Sequence, residues 1–235
     1  MREEELEHLV AGPEKLILIR HAHALNNSAH KKVKRKPEFS SFSCSLTPLG
    51  RKQADFLRQW HDEHGPFDVY LTSPHARSEE THRIVCPDVH VRENSLLAEI
   101  RSGITKLIPP GQLKRFAPRE KERALREGLY YHRPLNGEGW IDGENRIRML
   151  QLALRLDYTG KTVCCFTHGK NIRMIIKVYL DLSYREILRL YDLKKIKTDN
   201  ASVTILERIW DVPSKRFIYR LDPEEFNIVP WKGKL

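Results

Sequence analysis

The sequence has no long hydrophobic run. Nowhere in its 235 residues do apolar side chains follow one another for the ~18 positions a membrane helix needs. The opening stretch, MREEELEHLV, is charged where a secretory leader would be apolar. We therefore expect no membrane association and a cytoplasmic protein. Cysteine is scarce, with only Cys44, Cys86, Cys164 and Cys165. No CxxC pair is backed by a second pair or by histidines, so a zinc site has no support. Free, partly buried thiols in a reducing compartment are the expectation. HExxH spacing is missing too. His61-Asp62-Glu63-His64 falls at a predicted helix end and reads as exposed capping polarity rather than a metal site. Internal repeats and low-complexity tracts are absent.

Acidic side chains are outnumbered. The chain carries 41 Lys+Arg against 31 Asp+Glu, a formal net charge of +10. Such a surface favours anionic partners without choosing among them. The densest basic run, His30-Lys31-Lys32-Val33-Lys34-Arg35-Lys36, reads as a solvated loop. No aromatic residues interleave with it and no nucleic-acid motif accompanies it, so nucleic acid is not the expected partner.

What is present alternates between strand and helix. Leu16–Ile19 is a short apolar run after Gly12-Pro13, read as a central strand buried on both faces. Thr47 is a helix N-cap with Pro48 at the first helical position. Ala54, Phe56, Leu57 and Trp60 give that helix an apolar face, and His64-Gly65-Pro66 ends it. Residues 68–73 read as a second strand stopped by Pro74. A helix through Arg83-Ile84-Val85 follows, cut by Pro87, and Val89–Val91 reads as a third strand. The pattern breaks from Gly103 to Asn136, where a basic helical segment spans Leu113–Arg126. Its cations, with Lys106 upstream, read as a solvated face. Asp142–Leu156 is an amphipathic helix. Thr162–Phe166 is a buried strand, Asn171–Leu180 a helix, and Val203–Ile209 and Arg216–Leu221 two last strands. The alternation predicts α/β architecture with a largely parallel sheet.

Two buried strands end in histidine and a small residue, as Ile19-Arg20-His21-Ala22 and Phe166-Thr167-His168-Gly169. Ligands of parallel sheets bind beyond the carboxyl ends of strands. A third strand end leads to Arg77. Arg20, Arg77, His21 and His168 crowded at one rim call for an anion, and the planar guanidinium suits phosphate oxygens.

At this point the chain resembles the histidine phosphatase superfamily, the phosphoglycerate-mutase-like proteins, on the phosphatase side of branch 1. Arg20-His21-Ala22, with Asn27 five residues on, is similar to the family's Arg-His-Gly motif. Ser73-Pro74-His75-Ala76-Arg77-Ser78-Glu79-Glu80-Thr81 resembles its Ser-x-x-x-Arg motif. Leu97-Ala98-Glu99 with Gly103, Arg133-Pro134-Leu135-Asn136-Gly137-Glu138 and His168-Gly169-Lys170-Asn171-Ile172-Arg173 follow in the family's order. Leu46–Gly50 and Asn200–Val203 are further landmarks. Ala22 stands where the family has glycine, and His23 where many members carry glutamate.

The resemblance implies a three-layer α/β/α sandwich with a mostly parallel sheet. It implies a single domain over 1–235, with a small cap insertion at 101–140. It also implies phosphoryl transfer through a phosphohistidine, without a metal or other cofactor because protein cations hold the phosphate. His21 would be the nucleophile. Arg20, Arg77 and His168 would clamp the oxygens, His168 being protonated when phosphate is bound. Glu99 would protonate the leaving oxygen and later activate water, provided its pKa is raised. Asn27, Gly169, His23 and Lys170 would contact substrate or phosphate, Lys170 through its backbone N–H at a helix start. His75 lies close to the site in sequence. The expected partner is a small phosphorylated substrate. A phosphomonoesterase is the leading reading; a phosphoglycerate-type mutase and a non-catalytic phosphate-binding protein on the same fold are the alternatives. Oligomeric state has no signature in the sequence.

Overall fold

The computed structural model describes residues 11–28, 42–103, 118–119, 122–128, 130–192 and 197–235. The basic run 30–36 and most of the segment 104–121 lie outside the described residues.

The sheet has six strands: β1 (Lys15–Arg20), β2 (Val69–Thr72), β3 (Arg92–Glu93), β4 (Thr162–Thr167), β5 (Val203–Asp211) and β6 (Arg216–Arg220). They lie in the order β3-β2-β4-β1-β5-β6. β3, β2, β4 and β1 are mutually parallel; β5 runs antiparallel to β1, and β6 to β5.

The continuous apolar run of β1 serves both faces of this sheet. Leu16 and Leu18 pack on one side, Ile17 and Ile19 on the other. That follows from the period-two alternation of a strand buried on both faces. Helices α1 (Pro48–His64) and α2 (Ala76–Val85) cover the face of Ile17 and Ile19, using Ala54, Leu57, Trp60 and Val85. Helices α3 (Trp140–Asp157) and α4 (Gly169–Tyr179) cover the other face with Ile147, Leu150, Leu154, Ile172 and Ile175. The result is the expected three-layer α/β/α arrangement.

Thr47 caps α1 as its sequence predicts, accepting from the Gly50 N–H at 3.1 Å, with Pro48 at the first position. Gly50 has a separate reason to lack a side chain. A Cβ there would lie 2.0 Å from the carbonyl oxygen of His23. The start of α1 is thereby pressed against the chain leaving β1.

Three expectations need correction. The third strand is not Val89–Val91 but Arg92–Glu93, because only these residues pair with Leu71 and Thr72 of β2. Val89 and Val91 instead pack, unpaired, against the core beside β2. Helix α4 begins at Gly169 rather than Asn171, since β4 runs directly into it with extended His168 as N-cap. His61 is not exposed capping polarity: it is 8% exposed, and its Nε2 lies 2.8 Å from the Tyr70 hydroxyl. The structure adds a further helix, α5 (Tyr184–Asp192).

The four cysteines are free and buried. Among the described residues no helix is long and apolar enough to cross a membrane.

Candidate active site

Strand register places the key side chains. Arg20 of β1 pairs with Thr167 of β4, and Thr72 of β2 with Phe166. The residues just beyond, His21, His168 and Ser73, therefore emerge side by side at one carboxyl edge. Backbone bonds extend the sheet past its formal ends: His21 N–H donates to Thr167 O at 3.0 Å, and Ser73 N–H to Phe166 O at 2.9 Å. The rings of His21 and His168 stand 5.2 Å apart.

Arg77, from the first turn of α2, enters this edge and is 1% exposed. Each guanidinium nitrogen meets a different imidazole. Nε donates to His21 Nε2 at 3.1 Å, Nη2 lies 3.0 Å from His168 Nδ1, and Nη1 lies 3.1 Å from His75 Nδ1.

These contacts fix the proton on His21. Its Nδ1 sits 2.7 Å from Ala22 O, which can only accept, so Nδ1 carries the hydrogen. Nε2 is left unprotonated, its lone pair accepting from Arg77 Nε. Burial, then the charges of Arg77 and Arg20, hold the His21 pKa well below its ordinary 6.5. His168 is lowered in the same way by burial and then by Arg77, His21, His75 and Arg20. Both imidazoles are neutral at pH 7 in this state. The protonated His168 that the resemblance implies thus requires an anion to arrive.

His168 is oriented from behind by Ser73, whose Oγ lies 2.7 Å from Nε2. Glu99 faces it from the front, with Oε2 3.8 Å from His168 Nδ1. Its other oxygen is buried with no hydrogen-bond partner among the described residues. Glu99 does not pair with Arg101, which reaches Glu138 instead. The backbone ahead of Glu99 is fastened by Asn171, whose side-chain amide reaches Leu97 O at 2.6 Å and Ala98 O at 2.8 Å. Thr167 Oγ1 also donates to Leu97 O, at 3.0 Å.

Arg20 donates through Nη1 to Thr198 O at 2.6 Å, while its Nε is buried without a hydrogen-bond partner among the described residues. Burial lowers its pKa and the charge of Glu99 opposes that shift. Gly169 has a steric reason to be glycine: a Cβ would meet Thr198 Oγ1 at 2.9 Å and Arg20 Nε at 3.3 Å. Its bare backbone lets Arg20 lie across the start of α4.

The other expected contact residues are placed differently. Asn27 Oδ1 accepts from Ala24 N–H at 2.9 Å and from Asn200 Nδ2 at 3.4 Å, tying down the turn after β1. His23 Nδ1 lies 2.9 Å from Thr47 Oγ1, so the ring turns towards the start of α1. Lys170 Nζ reaches Ser102 Oγ, within the 101–140 segment, at 3.2 Å. Ser73, Asn171 and Arg146 join the site without having been singled out by sequence. Ser73 opens one of the motifs and Asn171 sits inside another, so motif position is the signal that points to both. Arg146 of α3 contacts Glu138 at 3.5 Å and feels the charge of Glu99.

The family model of the histidine phosphatase superfamily (branch 1) matches residues 16–216. The chain belongs to that superfamily. Solved structures with the same fold include the alpha-ribazole phosphatase from Shigella flexneri, at TM-score 0.67 and 19% identity, covering 90% of this chain and 97% of that one. A mycobacterial glucosyl-3-phosphoglycerate phosphatase in complex with VO3 aligns at TM-score 0.70 and 23% identity, covering 92% and 99%. Mycobacterial hydrolase 1 aligns at TM-score 0.71 and 23% identity, covering 92% and 99%. No curated protein sequence matches the chain.

Proposed function

We propose that this superfamily member is a phosphomonoesterase acting on a small phosphorylated substrate through a phosphohistidine at His21. The observation that carries this reading is the Arg77 fork, with three imidazole nitrogens around it and an unprotonated Nε2 on His21. A dianionic phosphoryl group satisfies such a cluster through charge-assisted hydrogen bonds.

In this mechanism the incoming phosphate oxygens draw the Arg77 N–H groups away from the imidazoles. His21 Nε2, now released, attacks phosphorus in line while the bond to the leaving oxygen breaks. Arg20, Arg77 and His168 hold the non-bridging oxygens as charge shifts, the bound dianion favouring a proton on His168. Glu99 gives its proton to the leaving oxygen. Water then attacks the phosphohistidine, returns a proton to Glu99 and restores neutral His21. Gly169 and the Lys170 N–H line the site at the start of α4. Asn27 and His23 act from one step back, by shaping the turn that presents His21. The 101–140 segment is the specificity element of a single-domain enzyme. Four buried free thiols fit a reducing, cytoplasmic setting.

The test is hydrolysis of a generic aryl phosphate in EDTA, comparing wild type with His21→Ala. Turnover that disappears in the variant supports the reading. Turnover that survives in the variant contradicts it.

A further inference from the structure

Arg146 of α3 is a cation packed beside the general acid of the proposed reaction. Two contacts hold it there. Gly143, one turn earlier on α3, lies so close to Ile100, the residue after Glu99, that a Cβ would fall 2.6 Å from Ile100 Cδ1. Glu138 then bridges the two segments. Its Oε2 accepts from the Arg101 N–H at 2.8 Å, and its Oε1 lies 3.5 Å from Arg146 Nη1.

That bridge uses one nitrogen of the guanidinium. Arg146 Nε and Nη2 are buried and have no hydrogen-bond partner among the described residues. Glu99 Oε1 is in the same condition. A buried charged donor and a buried carboxylate oxygen are each costly to leave unmade, and each suits the other. Burial lowers the Arg146 pKa, and the charges of Glu138 and Glu99 oppose that shift. The other groups around Glu99 are His168, 3.8 Å from Oε2, His75, which accepts from the Glu99 N–H at 3.3 Å, and the charges of Arg20 and Arg77. In the proposed mechanism His168, Arg20 and Arg77 hold phosphate oxygens; Arg146 does not.

We propose that Arg146 is a positioning residue for Glu99, taking the carboxylate through Nε–H and Nη2–H once its proton has passed to the leaving oxygen. The O–H bond of Glu99 breaks, the proton bonds to the leaving oxygen, and the negative charge left behind is shared through Oε1 with the guanidinium. Water attacking the phosphohistidine later returns a proton and releases the carboxyl group. This rests on the phosphoryl-transfer reading given above.

Leaving groups separate this role from a structural one. A phenolate needs a proton as it departs far more than a nitrophenolate does. The experiment measures kcat/KM for phenyl phosphate and for nitrophenyl phosphate in wild type, Arg146→Met, Arg146→Lys, Glu99→Gln and the double variant Glu99→Gln/Arg146→Met. Thermal unfolding checks that each is folded. We expect Arg146→Met to lower the ratio of the phenyl to the nitrophenyl value about tenfold, the scale of one hydrogen bond to a charged group. Glu99→Gln has no proton to give, so adding Arg146→Met to it leaves the ratio where Glu99→Gln alone sets it. Equal losses on both esters, or the same drop in ratio on top of Glu99→Gln, overturns the proposal and leaves Arg146 as a partner of Glu138 alone. If Arg146→Met does not fold, Arg146→Lys decides by the same ratio, since it keeps a charge near Glu138 without the two donors. Turnover of nitrophenyl phosphate alone in wild type shows that no acid protonates the leaving oxygen, and overturns this proposal by itself. Turnover of neither ester overturns the phosphoryl-transfer reading, and this proposal with it.

Discussion

Arg77 Nε donates to His21 Nε2 across 3.1 Å, so the guanidinium occupies the nitrogen proposed to attack phosphorus. The proposed nucleophile is held neutral and correctly turned, but covered, until an anion draws the arginine away. Arg77→Lys keeps the charge and loses the fork. We expect kcat/KM for an aryl phosphate to fall about 10²–10³-fold, as when one preorganised oxyanion donor is removed. Steady-state kinetics on folded protein check this. A variant within a factor of about two of wild type would show that charge alone suffices.

The buried histidines make the unliganded protein sensitive to acid. His21 and His168 are both lowered well below 6.5, chiefly by burial, whereas in the unfolded chain they titrate near that value. Below pH 6.5 the unfolded state therefore binds more protons than the folded one. Stability is fully present above that pH and falls as pH drops towards the folded values, by up to about 1.4 kcal/mol per pH unit for each histidine. His23 and His82, also lowered by burial, act in the same direction. Urea midpoints measured between about pH 7.5 and about pH 5.5 should decline. Added phosphate should lessen the decline, because the bound dianion favours protonated His168. A midpoint independent of pH would contradict the assignment of neutral, buried rings.

Glu144 is a separate point of weakness. It is 6% exposed and lies 2.9 Å from Lys177 Nζ and 2.6 Å from Arg148 Nη2, and the Tyr130 hydroxyl donates to it. Burial pushes its pKa up, but the bonds from Tyr130, Lys177 and Arg148 outweigh that and the net shift is downward. Glu144→Gln removes the anion beside Lys177, itself only 5% exposed. We expect a loss of about 3 kcal/mol in a denaturant titration, the scale for breaking a buried ion pair. Tyr130→Phe should cost about 1 kcal/mol.

Gly50→Ala tests how the turn after β1 is held. The added methyl would fall 2.0 Å from the His23 carbonyl oxygen, which is backbone and cannot step aside cheaply. We expect lower thermal stability and lost phosphatase activity together, because His21 is two residues from the clash. Wild-type behaviour in both assays would show that this contact relaxes freely.

The sheet is legible in the sequence where one strand buries both faces, as in β1 and β4. A short unbroken apolar run between turn residues fits a central strand and is too brief for a buried helix. It is not legible at β3, where two exposed residues pair with β2 while apolar Val89 and Val91 pack without pairing. The α5 segment does carry a signal that the strand–helix reading passes over, the Ser183-x-x-Glu186 capping pair: Ser183 N–H donates to Glu186 Oε2 at 2.7 Å and Glu186 N–H to Ser183 Oγ at 3.2 Å. Arg20, His21, Arg77, Glu99 and His168 can be read from motif order. The contacts that orient them cannot, because Ser73 meets His168 across 95 positions and Asn171 meets Leu97 across 74. The burial of His61 is hidden for the same reason: its partner Tyr70 lies on a different element.

The most direct measurement is capture of the covalent intermediate. The enzyme is mixed with an aryl phosphate in EDTA, quenched in base and digested, and the phosphorylated peptide is identified by mass spectrometry. The expected result is an acid-labile, base-stable phosphate on His21 that is absent from His21→Ala. Turnover in wild type with the phosphate on another residue, or with the same adduct in His21→Ala, would contradict it.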